Sequence, residues 1–572
     1  MKWFVLIADV LLRAAMFLSG AADAESVDQG LLDRLEAVQR NPLRLNRDSR
    51  TRLLSGGLLS QYQVASLEDY RHSSGDVLSL AELSLVDGFG AEWVEVMGPF
   101  ISLESSLRPG ERDTLVWKHT ALMAGDLKAV RGKYRLSVGG LTAGVAGKLN
   151  YDGLAKGLSG AGTETGAAGG GLGSAAGLGS AAGLGSYTFH IDGCLQRWRI
   201  VAGDFNTRFG QGLAMWTGFR LSGLQTLDAF MLRPGGIVPS WSVTGDGVQR
   251  GLAVEWTPGS WQLSAFGSME GVFGAHASRW FRDGEIGAGV FRTGDGWRAT
   301  VDGRWHYGRV TWFGEGALAT GWAASSGGAG GSVAAGSTGG FSAAGLLGCR
   351  IGVFESDKIA LQLRALPSRY SGKKYGEYAA AAGYGWKQAS LTAEFSLLPI
   401  PGNDVGRRQL KVYGLWTIPF GGGWSLKLRG YERWRNYERN RLDIRSDLSW
   451  EKGFWTVRGR ANALFCRSYG LLGYLEGGYR DEAWTIWLRG EAFRIDNWDD
   501  RIYVYEHDAP GNFSVPACYG RGGAASLYVA WKKHLGGRRH PVTLRCYLRA
   551  YGMFRSGRDF SPALRLQTQI EF

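Results

Sequence analysis

The sequence predicts a mainly β chain: a large antiparallel transmembrane β-barrel of roughly 18–22 strands, preceded by a small all-α domain. Three observations predict it. First, Leu564, Leu566, Thr568, Ile570 and Phe572 alternate with Arg565, Gln567, Gln569 and Glu571 at the end of the chain. A strand throws successive side chains to opposite faces, and a face carrying Arg and Glu fits a wet lumen better than a dry core. Second, 89 of the 572 residues are Gly and 12% are aromatic, with 23 Trp and 22 Tyr. A barrel places such rings in two belts where the membrane meets water. Third, hairpins with a Trp beside the turn recur from about residue 113 onward.

Taken in order, the chain opens with Lys2, an apolar run from Trp3 to Leu18, and a small-x-small site at Ala22-Asp23-Ala24. That pattern predicts a signal peptide over residues 1–24, although Asp9 and Arg13 interrupt the run. No later run reaches the ~18 apolar residues of a spanning helix, which excludes a helical membrane protein. Export then leads to the periplasm, the outer membrane or secretion. The five Cys are far apart without a CxxC, and the eight His do not cluster with Cys or carboxylates. Neither a metal site nor a cofactor is expected. No Ser/His/Asp set or carboxylate pair stands out, so an enzyme is not expected.

Residues 25–110 are helix-forming and carry two turn-marked repeats. The pieces run from Pro42-Leu43-Arg44-Leu45-Asn46, through Leu67-Glu68-Asp69-Tyr70-Arg71, to Gly75-Asp76-Val77-Leu78-Ser79. Leu80-Ala81-Glu82-Leu83 and Val86-Asp87-Gly88-Phe89-Gly90 follow. Their order and spacing resemble a tandem helix-hairpin-helix domain of competence-type DNA-binding proteins. The resemblance implies a phosphate-cradling turn at Gly88, Phe89 and Gly90, with Phe89 packed inward. The first hairpin, with Gly56 and Gly57, departs from the pattern. Charge argues the other way: residues 25–112 hold nine basic and fourteen acidic residues, a net of −5. A phosphate binder should be basic. The cations cluster instead at Arg40, Arg44, Arg47, Arg50 and Arg52, which leaves a periplasmic protein partner as the competing expectation.

From Asp113 the period becomes two. Leu252, Val254 and Trp256 oppose Ala253 and Glu255, a turn follows at Thr257-Pro258-Gly259-Ser260, and Trp261, Leu263 and Ala265 return. Similar hairpins surround the turns near 421, 452 and 482. A dry β-sandwich would have to bury unpaired Arg, which is prohibitive. The last strand resembles the closing strand of bacterial outer-membrane barrels, which end in Phe and are read by the outer-membrane assembly machinery. If Phe572 ends in the periplasm, the turns near 421, 452 and 482 lie there too. The segment 496–522 and the Gly/Ala-rich stretches 157–186 and 323–343 then fall outside, the two stretches as flexible loops.

Two barrel segments look less like filler: Gly203-Asp204-Phe205-Asn206-Thr207-Arg208-Phe209-Gly210-Gln211-Gly212-Leu213, and Arg501–Glu506 continuing to Ala517–Gly522. Both are similar to segments of exported proteins that join a helix-hairpin-helix module to an outer-membrane barrel. Their glycines suggest backbone packed closely in the wall or against a plug. The chain carries +13 overall and its first 24 residues sum to zero, so residues 113–572 carry +18. Arg429, Arg458, Arg460 and Arg489 fall on expected lumen faces. A basic lumen favours anions unless neighbouring carboxylates pair with it. The functional expectation is an outer-membrane barrel, lipid-embedded, whose periplasmic domain binds DNA non-specifically through phosphates and assists its uptake. The alternative is a porin-like or structural barrel whose helical domain contacts another protein.

Overall fold

A computed structural model describes Val38 and most of residues 42–103, then residues 117–151, 184–320 and 341–572 apart from short stretches. The expected signal peptide lies outside the described residues, as do most of 157–186 and 323–343.

Among the described residues the wall is a closed barrel of 24 strands. Each pairs antiparallel with its neighbours, and Gly236–Pro239 is a short extra strand laid against Trp198–Arg208. The last strand, Arg558–Glu571, closes on the first, Trp117–Asp126, in a register running from Arg565↔Asp126 to Glu571↔Thr120. Phe572 extends that seam. Its carbonyl accepts from the His119 N–H at 2.7 Å, its N–H donates back at 3.1 Å, and the two rings stack at 5.0 Å. Closure leaves no strand edge. The expected 18–22 strands fall short, although the number is even as barrels of this kind require. The undercount has a physical cause: Ala and Gly fill four of the ten positions in Leu141–Asn150 and six of the ten in Glu377–Trp386. Their two faces differ too little in polarity to show a period.

The two faces of the wall are chemically opposite. Leu475 and Leu488 point outward and are 65% and 61% exposed, while Glu476 and Arg489 beside them are 1% and 2% exposed. An apolar exterior of this extent around the whole wall is covered only by lipid, so the barrel spans a membrane. Tryptophans gather at the mouth that carries Phe572. Trp198 stacks on Trp256 at 5.2 Å, Trp484 approaches Trp531 at 6.2 Å and Trp424 approaches Trp450 at 6.3 Å. The turns after Gly421, Lys452 and Arg480 open at this same mouth. Residues 496–519, and the connections that include 157–186 and 323–343, join strands at the opposite one.

The described N-terminal residues have a core of their own, centred on Leu45, Leu67, Val77, Leu83, Phe89, Met97 and Phe100. Two short helices, Leu80–Leu83 and Ala91–Met97, contribute to it. The unit is not all-α as expected, because Leu43–Arg44 pairs in parallel with Ile101–Ser102. Buried Asn46 ties that pair down. Its amide donates to the Val77 and Leu103 carbonyls at 2.9 and 3.3 Å and accepts from the Val77 N–H at 2.9 Å.

Ser79 caps the first helix by accepting from the Glu82 N–H at 3.1 Å. The Glu82 carboxylate accepts from the Tyr70 hydroxyl and from the Leu78 N–H, a variant of the capping box. The Tyr70 hydroxyl first, then the Leu78 N–H, hold this carboxylate below the ordinary Glu value of 4.5. A depressed folded pKa stabilises fully above the unfolded value, and that contribution is lost as pH falls through the folded value. Glu82→Gln should therefore lower amide-exchange protection over residues 83–97 at neutral pH and leave it equal to wild type in acid. Equal protection at both pH values would show that the cap contributes nothing.

Candidate functional site

Two chain segments leave the wall and fold into the lumen, and what they use up decides what the lumen offers. The first, the described residues within 209–248, follows the strand Trp198–Arg208. Phe209, Leu213, Met215 and Phe230 pack against lumen-facing Phe205, Phe266, Phe291, Phe313 and Leu346. Its polar anchor is Glu315 in the strand Val310–Ala319. That carboxylate accepts the backbone N–H groups of Gln211, Leu213 and Ala214 at 2.6, 3.0 and 3.0 Å, and the Thr300 hydroxyl at 2.9 Å. Gly210 makes the approach possible. It sits at φ +56°, and a Cβ there would lie 2.7 Å from a Glu315 oxygen. Further along, Ile237 donates to Glu255 at 3.1 Å and accepts from Arg199 at 2.9 Å. At its far end Trp241 lies under Arg135, 4.1 Å from the ring centre.

The second segment, residues 496–519, follows the strand Trp484–Ile495. Ile502, Val504 and Cys518 pack against Leu464, Leu472, Phe493 and Met553. Arg489 is its pivot, bonding Glu476, the Tyr505 carbonyl at 2.7 Å and Glu506 at 3.2 Å. His507 stacks on Trp487 at 4.4 Å. Asp508 pairs with Arg565, and Asn512 bridges Gln567 at 2.8 Å and Arg131 at 3.0 Å. The two stretches singled out in the sequence are thus the roots of two inward-folded plugs.

The expected lumen cations all face inward, but three of them are spoken for. Arg458 reaches Glu451 at 3.2 Å and Glu476 at 3.9 Å, Arg460 pairs with Asp447, and Arg489 holds its two glutamates. Arg429 lies over the Tyr413 ring at 5.2 Å and has no carboxylate partner among the described residues. Carboxylates are spent unevenly around the wall. Between residues 249 and 400 the lumen side offers Glu255, Glu285, Asp302, Glu315, Glu377 and Glu394, each engaged by the first plug, by a wall arginine or, for Asp302, by His276. The strands from Asn403 to Lys452 instead present Lys411, Lys427, Arg429, Arg433, Arg435, Arg441 and Arg445 against Asp443, Asp447 and, toward the Phe572 mouth, Glu451. None of the plug anchors described above falls on the strand Trp424–Arg435.

In the N-terminal unit Gly88 and Gly90 have φ of 86° and 33°, conformations that favour glycine, and Phe89 is buried edge-on to Trp93 at 4.9 Å. Phe89 therefore packs inward as expected. Arg44 is held by Asp48 at 3.2 Å. Gly56, Gly57, Arg40, Arg47, Arg50 and Arg52 lie outside the described residues. Sequence reasoning missed Glu315 and Asp508, whose partners lie far away in the chain, and Arg433, whose setting depends on the register that puts it opposite Lys411 and Arg441.

Fold and lumen together define a transmembrane β-barrel narrowed by two inward-folded segments. No protein-family model and no curated protein matches the chain. Among solved structures, the P pilus usher PapC translocation pore is similar at 10% identity and a TM-score of 0.35, over 80% of this chain and 98% of that one. The FrpB iron transporter of Neisseria meningitidis is similar at 9% identity and a TM-score of 0.38, over 80% and 81% of the two chains. OccK7 (OpdD) of Pseudomonas aeruginosa is similar at 8% identity and a TM-score of 0.29, over 80% and 98%.

Proposed function

We propose that the chain is a porin-like outer-membrane pore that passes anionic solutes through a lumen constricted by two plugs. The observation that carries this reading is the uneven spending of carboxylates. Those facing the first plug are consumed in anchoring it or in pairing wall side chains, while the strands from Asn403 to Lys452 keep an excess of Lys and Arg toward the lumen. A low-dielectric wall lined by one sign of charge concentrates counter-ions and selects them. The mouth with Phe572 and the tryptophan pairs is the periplasmic one in this reading, which puts the N-terminal unit in the periplasm.

Reconstitution in planar bilayers tests it. Under a tenfold KCl gradient the reversal potential should report anion preference, and Lys411→Gln with Arg429→Gln should bring it several-fold closer to unselective. A cation-selective channel, or a barrel that inserts and never conducts, would overturn the reading.

A second reading concerns the N-terminal unit, because Gly88 and Gly90 flank buried Phe89 at positive φ, which supports the helix-hairpin-helix resemblance drawn from the sequence. The net charge of −5 over residues 25–112 and the engagement of Arg44 by Asp48 favour a protein contact over DNA there. Salt-dependent DNA retention by the full chain in detergent, weakened by Gly88→Glu, would reverse that preference.

A further inference from the structure

We propose that Lys411, Arg433 and Arg441 form a binding site for a multivalent oxyanion, near the mouth opposite Phe572. The register places Arg433 directly opposite Lys411 on one neighbouring strand and directly opposite Arg441 on the other. Three cations therefore lie side by side across three strands on the lumen face. Directly opposed like charges on one sheet face repel. Their compensation is thin. Lys411 reaches Glu394 at 3.4 Å, but that carboxylate also holds Arg364 at 3.0 Å. Arg441 donates to the Arg501 carbonyl at 3.4 Å, a neutral partner. Arg433 has neither an ion pair nor a hydrogen bond among the described residues, and its Nε is buried without a partner.

A second cationic level lies four residues deeper along the same strand, about 13 Å away at the usual rise. There Arg429 opposes Arg445. Arg445 is paired with Asp447, whereas Arg429 has only the Tyr413 ring. A guanidinium offers a rigid fork of donors that matches phosphate or carboxylate oxygens two at a time. An anion with several charges would supply Arg433 with the acceptors it lacks and cancel the repulsion among the three cations. The second level would receive the next charged group of the same solute.

Access to the site rests on the pore reading above, but occupancy does not require conduction, so the two are measured separately. The probe is inorganic tripolyphosphate, added to the full-length barrel in detergent at low salt, with KCl of matched ionic strength as the screening control. The wild-type unfolding midpoint should rise with tripolyphosphate and not with KCl, and calorimetric affinity should fall at least tenfold in Arg433→Gln. Relief of repulsion gives that variant its signature: its midpoint without probe should exceed the wild-type value. Arg433→Lys keeps the charge and loses the fork, so its affinity should be intermediate. Arg467→Gln, at an exposed cation of the same mouth, should bind as wild type does. An unresponsive wild type, or Arg433→Gln binding as tightly as wild type, would overturn the site. A barrel that conducts anions without binding the probe keeps the pore and loses the site; one that binds without conducting does the reverse.

Discussion

Replacing Leu566 and Ile570 together by Asp should cut the heat-modifiable, membrane-inserted form by at least tenfold. Both side chains lie on the lipid face of the closing strand, opposite Gly125 and Ala121 of the first strand. Each substitution removes an aliphatic side chain from lipid and puts a carboxylate there, so the pair costs on the order of 5 kcal/mol. That is comparable to the whole stability of many folded chains. Deleting Phe572 should act in the same direction more weakly, since it removes two backbone bonds to His119 and one ring contact. The control is Gln569→Asp on the lumen side of the same strand, which should insert normally. Wild-type levels of the Leu566/Ile570 double variant would mean that the seam does not limit assembly.

What the sequence made legible was periodic and local. The Leu564–Phe572 alternation marked the closing strand, and the Trp-flanked turns marked hairpins at the Phe572 mouth, because a two-residue period shows in any strand whose faces differ strongly. The same logic put Arg429, Arg458, Arg460 and Arg489 on the lumen face. It did not reveal their partners: Arg489 meets Glu476 across one strand pair but Glu506 only because residues 496–519 turn inward. Glu315 is the clearest omission, since the backbone it binds lies about a hundred residues earlier. The one local trace was glycine at position 210, needed both for its positive φ and for the space that Glu315 fills. Composition also misled at the other end of the chain. A run of helix formers gave no warning that Leu43–Arg44 would pair with Ile101–Ser102.

Arg489→Leu should release the second plug while leaving the wall intact. The guanidinium is nearly fully buried and is the shared partner of Glu476 and Glu506, as well as a donor to the Tyr505 carbonyl. Removing it leaves buried carboxylates and a carbonyl with one donor fewer, which costs roughly 3–5 kcal/mol. The wall cannot relieve that strain, because the strand Trp484–Ile495 is paired along its length on both sides. Residues 502–508 can, by swinging away and taking Glu506 into water. Proteolysis within 502–516 should therefore accelerate at least tenfold in the folded barrel, and single-channel conductance should rise while heat-modifiable migration stays unchanged. Glu315→Leu should do the same for residues 209–215, by orphaning three backbone N–H groups at once. Neutralising all members together, as Arg489→Leu with Glu476→Gln and Glu506→Gln, should restore most of the protease resistance, since the cost lies in uncompensated charge rather than lost packing. A singly substituted barrel as resistant and as narrow as wild type would show that Asp508–Arg565 and the apolar contacts of Ile502 and Val504 hold the plug without Arg489.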